Sequence, residues 1–264
     1  RCVNTRLSTD LMLRLKVPFI FAPLLVGILI SSAWGQSLNS VLSRLDQSYY
    51  YPQKQGLKSL SVRVQWEQLD VASGSGKFLR NPDFNFIWKA GSRLGRFKLA
   101  EGQEHLSEER VQELTQQISP FSEPIIPLTL QQKFSSFAGK VHASEKNKLV
   151  IGLTQVSSDQ DYKLLVDAKE WVVRKLRFKQ SRSPQNVEGE FSYLKLGGKP
   201  AISETRSRFE VDEREYLEVT HYTYRKFQGV WWVHRIDQTL KQDDHVLQTY
   251  VINLSSFKPV LSSR

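Results

Sequence analysis

Two residue types are almost missing from this sequence. Among 264 residues there is one cysteine, Cys2, and one methionine, Met12. A lone cysteine excludes an intrachain disulfide framework and removes the thiolates that most structural zinc sites use. Histidine is scarce too: His105, His142, His221, His234 and His245. None stands in a close ligand spacing such as H-E-x-x-H. His221, His234 and His245 fall on successive expected strands, the one arrangement that would bring three imidazoles together. The nucleophile-elbow pattern G-x-S-x-G is absent. In "ASGSGKF" (72–78), Gly76-Lys77 resembles part of a phosphate loop, but Phe78 replaces its Ser or Thr and Val71 its first Gly. The acids show no spacing that marks a general acid and base pair. No catalytic residue, no metal ligand and no cofactor is expected, and the chain is read as not an enzyme.

What is present begins with an apolar run. From Met12 the chain reads "MLRLKVPFIFAPLLVGILISSAWGQS". Arg14 and Lys16 precede an apolar stretch from Val17 to Ile30, and Ala33-Trp34-Gly35 places small residues where a signal peptidase reads. The stretch is short for a spanning helix. Residues 1–35 are therefore read as an over-extended N-terminus plus a signal peptide cleaved after Gly35, and 36–264 as one exported domain. Without residues 1–35 the chain keeps 33 basic and 26 acidic residues, a net charge of +7. That balance favours anionic partners, lipid headgroups among them; no nucleic-acid partner is expected.

Residues 37–50 read as a helix, with Ser37 as N-cap and Leu38, Val41, Leu42 and Leu45 on one stripe. "LSVRVQWEQL" (60–69) alternates, with Leu60, Val62, Val64 and Trp66 on one face. "FNFIWKA" puts Phe84, Phe86 and Trp88 on one face, and "RLGRFKLA" reads as its partner strand. Two helical pieces interrupt the strands. In 107–118, Val111, Leu114 and Ile118 share a face, and Glu108 and Glu109 favour the first turn. In 127–138, Pro127 suits a start, Leu130, Phe134 and Phe137 form a stripe, and Gly139 suits a stop. From residue 140 onward nearly every segment reads as strand, with turn signals between. No period of 20–50 residues repeats. A sheet of about eleven antiparallel strands with so few helices either closes or leaves an apolar cavity beneath a helical lid.

Several stretches carry a resemblance. An amphipathic helix leads into "LKSLSVRVQWEQ". "LLVDAKEWVVRKLRFKQ" (164–180) is a strand ending in Asp167, a short turn, and a strand mixing apolar and basic residues. Long hairpins follow and end with "VINLSSFKP" (251–259). In this layout the chain resembles the LolA/LolB-like lipoprotein-carrier superfamily. The tight match is the 164–180 hairpin; the chain departs from the layout in 104–139 and in its long C-terminal hairpins. The resemblance implies a mainly β fold with a helical lid. Its sheet is a single large curved antiparallel one, an unclosed barrel of about eleven strands covered by the N-terminal helix and inserted helices. It also implies a non-enzymatic periplasmic carrier that holds lipoprotein acyl chains or lipid, with an inner-membrane donor and an outer-membrane acceptor, acting as a monomer. A sensor domain of the same fold that binds a protein partner is the alternative.

On that reading, the cavity is expected to be lined by Val62, Val64, Trp66, Phe84, Phe86, Trp88, Leu130, Phe134, Phe137, Leu164, Val166, Val172, Leu176 and Phe178. The same residues also suit an ordinary core. Lys169, Lys175, Arg177 and Lys179 would face water or the rim. Charging Phe134, in the expected lid, should release ligand while the sheet stays folded. Adjacent strand positions face opposite ways, so one of Trp231 and Trp232 must lie on the outer face or at a rim.

Overall fold

Ser37 opens the first helix: its hydroxyl accepts from the backbone N–H of Ser40 at 3.2 Å. This computed structural model describes residues 37–262, apart from 103–105, 146, 156 and 244. The leader expected at 1–35 lies outside the described residues. Helix α1 (Leu38–Ser48) buries Val41, Leu42 and Leu45, and with them Asp46. Burying each of the three apolar side chains contributes roughly 1.5–3 kcal/mol. A 3-10 turn, Pro52–Gln55, follows and stops at Gly56, whose φ of +84° is left-handed and suits glycine.

The strands are β1 (Leu57–Leu69), β2 (Phe78–Arg80), β3 (Phe84–Lys89) and β4 (Arg96–Leu99). Helix α2 (Glu108–Ile118), a 3-10 turn (Ser119–Phe121), α3 (Ser122–Ile125) and α4 (Leu130–Lys133) form the helical insertion. Then come β5 (Ala138–Glu145), β6 (Lys148–Thr154), β7 (Asp161–Asp167), β8 (Val172–Lys179), β9 (Asn186–Leu196), β10 (Lys199–Val211), β11 (Arg214–Phe227), β12 (Val230–Gln242) and β13 (His245–Leu261). They build one antiparallel sheet in the order β4-β3-β1-β13-β12-β11-β10-β9-β8-β7-β6-β5, with β2 paired to the end of β1. The path ends at β4 on one side and β5 on the other, so the sheet is an unclosed one. Among the described residues no helix is long and apolar enough to cross a membrane.

The sheet has thirteen strands rather than about eleven. The two additions are the short β2 and the edge strand β5. Neither shows a clear apolar alternation: β2 is exposed along its length. The helix expected over 127–138 shrinks to the single turn α4. Its start is set by a capping box between Thr129 and Gln132, not by Pro127, and it ends at Phe134. Gly139 is not a helix stop. It lies within β5 opposite Leu153, where a Cβ would sit 2.5 Å from the carbonyl oxygen of Gly152 and 3.1 Å from Leu38. Glycine here lets β5, β6 and α1 pack closely.

The core divides in two. In the first cluster, β1 and β3 lay Val62, Val64, Trp66, Phe84, Phe86 and Trp88 beneath Leu114 and Ile118 of α2 and Ile125 of α3. In the second, α1 packs Val41, Leu42 and Leu45 onto Ile151, Leu153, Leu164, Val166, Val172 and Val173. Helices thus cover the two ends of the sheet, and β9, β10 and β11 in the middle lie between them.

The β7–β8 hairpin shows how one edge is apolar and the other basic. Asp167 fixes the turn by accepting from the backbone N–H groups of Lys169 at 3.0 Å and Glu170 at 3.2 Å. An irregularity between Leu165 and Val166 shifts the register. It brings both Val172 and Val173 into the core, which strict alternation does not allow. On the outer face, Lys175 meets Glu190 at 2.8 Å and Arg177 meets Glu188 at 2.8 Å across β9. The basic face is answered by an acidic strand, in exposed pairs worth about 0–1 kcal/mol each. Of the tryptophan pair, Trp232 is buried in the first cluster. Trp231 is half-buried, and its backbone N–H donates to the Tyr50 hydroxyl at 2.7 Å.

Candidate functional site

The uncovered middle of the sheet forms the floor of a partly open cavity of about 410 Å3. Leu164 of β7, Val173 and Leu176 of β8, Phe191 of β9, Ile202 of β10 and Val233 of β12 make its apolar floor and walls. Residues 120–134 form the roof, which carries Phe121, Pro124, Ile125, Leu128, Leu130 and Phe134 over that floor. Tyr49, Tyr50, Tyr51 and Pro52, just after α1, close one side.

The roof is tied to α1 through one carboxylate. Asp46 is 2% exposed. It accepts from the Tyr51 hydroxyl at 2.7 Å and from the backbone N–H groups of Leu130 and Gln131 at 2.7 and 3.0 Å. Those are the first amides of α4, which an N-terminal turn leaves without helical partners. The Gln53 amide adds a hydrogen bond to the Pro127 carbonyl. At the roof's edge, Lys133 pairs with Glu123 at 2.7 Å.

Tyrosines repair the sheet where it splays. The β8–β9 ladder begins at Lys175, so Val173 has no β9 partner. The Val173 N–H donates to the Tyr49 hydroxyl at 2.7 Å, and the Tyr193 hydroxyl donates to the Val173 carbonyl. The two hydroxyls stand 3.1 Å apart. Burial pushes Tyr49 up to about 12 and raises Tyr51, Tyr193 and Tyr224 as well. All four stay neutral, able to donate. The Tyr224 hydroxyl donates to the Ile202 carbonyl at 2.8 Å.

The β10–β12 end of the cavity is polar. Thr205, Thr220 and Gln238 lie directly opposite one another across three strands, and the Gln238 amide donates to the Thr220 hydroxyl at 3.2 Å. Glu218 and Tyr222 flank that row. Burial raises the pKa of Glu218 above its ordinary value.

Of the residues expected to line a cavity, Leu130, Phe134, Leu164 and Leu176 are brought together around it. Val62, Val64, Trp66, Phe84, Phe86 and Trp88 instead pack under α2 and α3 in the first cluster. Phe137, Val166 and Val172 belong to the second cluster beside α1. Phe178 stacks near Tyr162, ring centroids 4.6 Å apart, at a separate recess. Phe134 faces the cavity but is also 4% exposed core, edge-on to Phe137 and Tyr162. A charge there would disturb packing as well as ligand, so it does not isolate the lid. Sequence reasoning missed Asp46, Tyr49, Tyr193, Phe191, Ile202 and the polar row. Among the described residues no group of three His, Cys, Asp or Glu is placed to hold a metal. His221 lies on the outer face beside Glu204 at 3.1 Å.

No family model matches this chain, and no curated protein matches it. Solved structures do. The chain is similar to a LolA superfamily protein from Nitrosomonas europaea, at 11% identity over 86% of this chain and 94% of that one, TM-score 0.33. It is similar to a DUF1329 family protein from Desulfovibrio piger, at 10% identity over 85% and 92%, TM-score 0.37. It is similar also to a chain of the Pseudomonas aeruginosa MucA/MucB complex, at 9% identity over 84% and 98%, TM-score 0.22.

Proposed function

We propose that this protein is a periplasmic carrier that takes acyl chains of lipids or lipoproteins into the cavity under residues 120–134. Residues 36–264 form the binding domain, freed of 1–35 by cleavage after Gly35. It collects cargo from a donor at the inner membrane, delivers it toward the outer membrane, works as a monomer and performs no covalent chemistry. One observation carries the reading: an apolar cavity whose roof is a short segment latched by a single buried carboxylate. The volume of about 410 Å3 falls within the ~300–1,000 Å3 typical of ligand pockets. Each methylene moved from water contributes roughly 0.8 kcal/mol. A chain of about twelve therefore gains on the order of 10 kcal/mol before the cost of immobilisation is subtracted.

The test is direct. The exported protein is purified gently, extracted for lipids, and weighed by native mass spectrometry. Bound acyl species near one per protein are expected, and replacing Ile202 with Trp, which fills the cavity from its floor, should abolish them while leaving the fold intact. A clean mass with no uptake of a fluorescent fatty amine or fatty acid would sink the carrier reading and favour a domain that binds a protein partner.

A further inference from the structure

The carrier reading says nothing about the head of the ligand; the polar end of the cavity does. Three charged residues line the cavity: Glu123, Lys133 and Glu218. Glu123 and Lys133 neutralise each other at 2.7 Å at the roof. Glu218 has no such partner. Among the described residues no ion pair or hydrogen bond holds its carboxylate, although it is half-buried. Half-burial takes part of the hydration from this carboxylate, and a cationic group in the cavity would restore it. One neighbour adds an acceptor. One N–H of the Gln238 amide donates to Thr220, and the amide oxygen, to which no described residue donates, is placed to receive. Burial and the negative field of Glu218 and Glu123 raise the pKa of Tyr222 and keep its hydroxyl neutral. The basic residues of the same strands do not compensate. Arg206 and Arg208 lie on the outer face, tied to Glu204 and Glu190.

Acceptors with a surplus negative charge, at one end of an apolar cavity, select a donor with positive charge. We propose that Glu218, with Gln238 beside it, is a headgroup subsite that receives a primary ammonium group carried on an alkyl or acyl chain and disfavours a chain ending in a carboxylate. The inference rests on the carrier reading, because the chain must lie along Leu164, Leu176, Phe191 and Ile202 for its head to reach Glu218. The ammonium belongs either to an ethanolamine headgroup or to the free amino terminus of an acylated peptide; the subsite chemistry is the same.

The test displaces a fluorescent alkyl probe from the full chain with dodecylammonium, dodecanol and dodecanoate. Dodecylammonium is expected to compete roughly tenfold better than dodecanoate, the sum of a modest attraction for the ammonium and a similar repulsion of the carboxylate, with dodecanol between. Glu218→Gln should erase the difference by weakening dodecylammonium and strengthening dodecanoate, and leave dodecanol unchanged. Glu218→Ala is the second variant; it breaks no hydrogen bond in the fold, so it keeps the comparison readable. A lysophosphatidylethanolamine and an S-palmitoyl peptide with a free amino terminus then compete in parallel, and the better competitor names the source; failure of both overturns the proposal. Equal competition by the three simple probes, unchanged in both variants, overturns the subsite and leaves the carrier intact. Displacement by none of them overturns both.

Discussion

Replacing Asp46 with Ala should free the roof of the cavity. The carboxylate is almost fully buried and accepts three hydrogen bonds, from the Tyr51 hydroxyl and the Leu130 and Gln131 amides. Alanine strands all three donors. A stranded buried donor costs about 1–3 kcal/mol, and the two amides recover water once the roof lifts, so the loss comes to about 3–5 kcal/mol. At about 1.4 kcal/mol per factor of ten, the opening equilibrium of the roof moves by roughly a hundredfold or more. The sheet beneath keeps its own ladder and the first core cluster, which Asp46 does not touch. Hydrogen exchange followed by mass spectrometry reads the difference. Peptides covering 127–137 should exchange about a hundredfold faster in Asp46→Ala, those covering 230–242 less than tenfold faster, and a bound fatty amine should dissociate faster in step with the roof. Asp46→Asn should fall between, since one oxygen still accepts while the new amide nitrogen faces a backbone N–H. If 230–242 loses protection as fast as 127–137, Asp46 is a pillar of the whole fold and the roof does not open by itself.

Two further outcomes follow from the buried polar groups. Tyr49→Phe removes the acceptor for the Val173 N–H and should cost about 1–3 kcal/mol in urea unfolding; an unchanged midpoint would mean that the splay between β8 and β9 closes without the hydroxyl. Glu218→Gln should alter the pH dependence of stability. Burial raises the folded-state pKa above the ordinary 4.5, so over that window the native state binds more protons than the unfolded one. Wild-type stability therefore falls as pH rises from 4.5 through the raised value and then levels off. The melting temperature of the variant minus that of the wild type should be near zero below pH 4 and positive at pH 7; a difference that stays constant across that range would refute the burial argument.

Which parts of this were readable from the chain alone follows from what each pattern measures. The stripe Leu38, Val41, Leu42, Leu45 and the alternation through Trp66 report a face that is fully covered, and α1 and β1 follow them closely. The expected helix over 127–138 fails because its stripe, Leu130, Phe134, Phe137, is equally compatible with one turn followed by a bend. Long-range contacts decide the matter: Asp46 binds the start of that turn, and β5 takes the chain from Ala138 onward. Asp46 itself was visible, since it stands eight residues after Leu38, on the apolar stripe of α1. A carboxylate there has to find donors, and that was the available clue to the latch.

The cavity was harder to see for a physical reason that also explains the misplaced lining. The strongest aromatic alternation, Phe84, Phe86, Trp88 against Val62, Val64, Trp66, marks where side chains interlock under α2 and α3, because dense packing is what makes large apolar residues favourable. A wall that faces a partly open space is wetted whenever the ligand is absent. Its residues need only be apolar enough to receive a chain and polar enough to stand in water without one. Strands β9 to β11 have that mixed character: Phe191, Tyr193 and Ile202 alternate with Thr205, Glu218 and Thr220. By amphipathic pattern they are weaker than β1 and β3 and read as solvated surface. The same weakness leaves them uncovered by either helical group and lets the sheet keep an open space between its two cores. In a sheet of this size, the cavity is therefore sought where the alternation fades between two well-patterned ends, not where it is strongest.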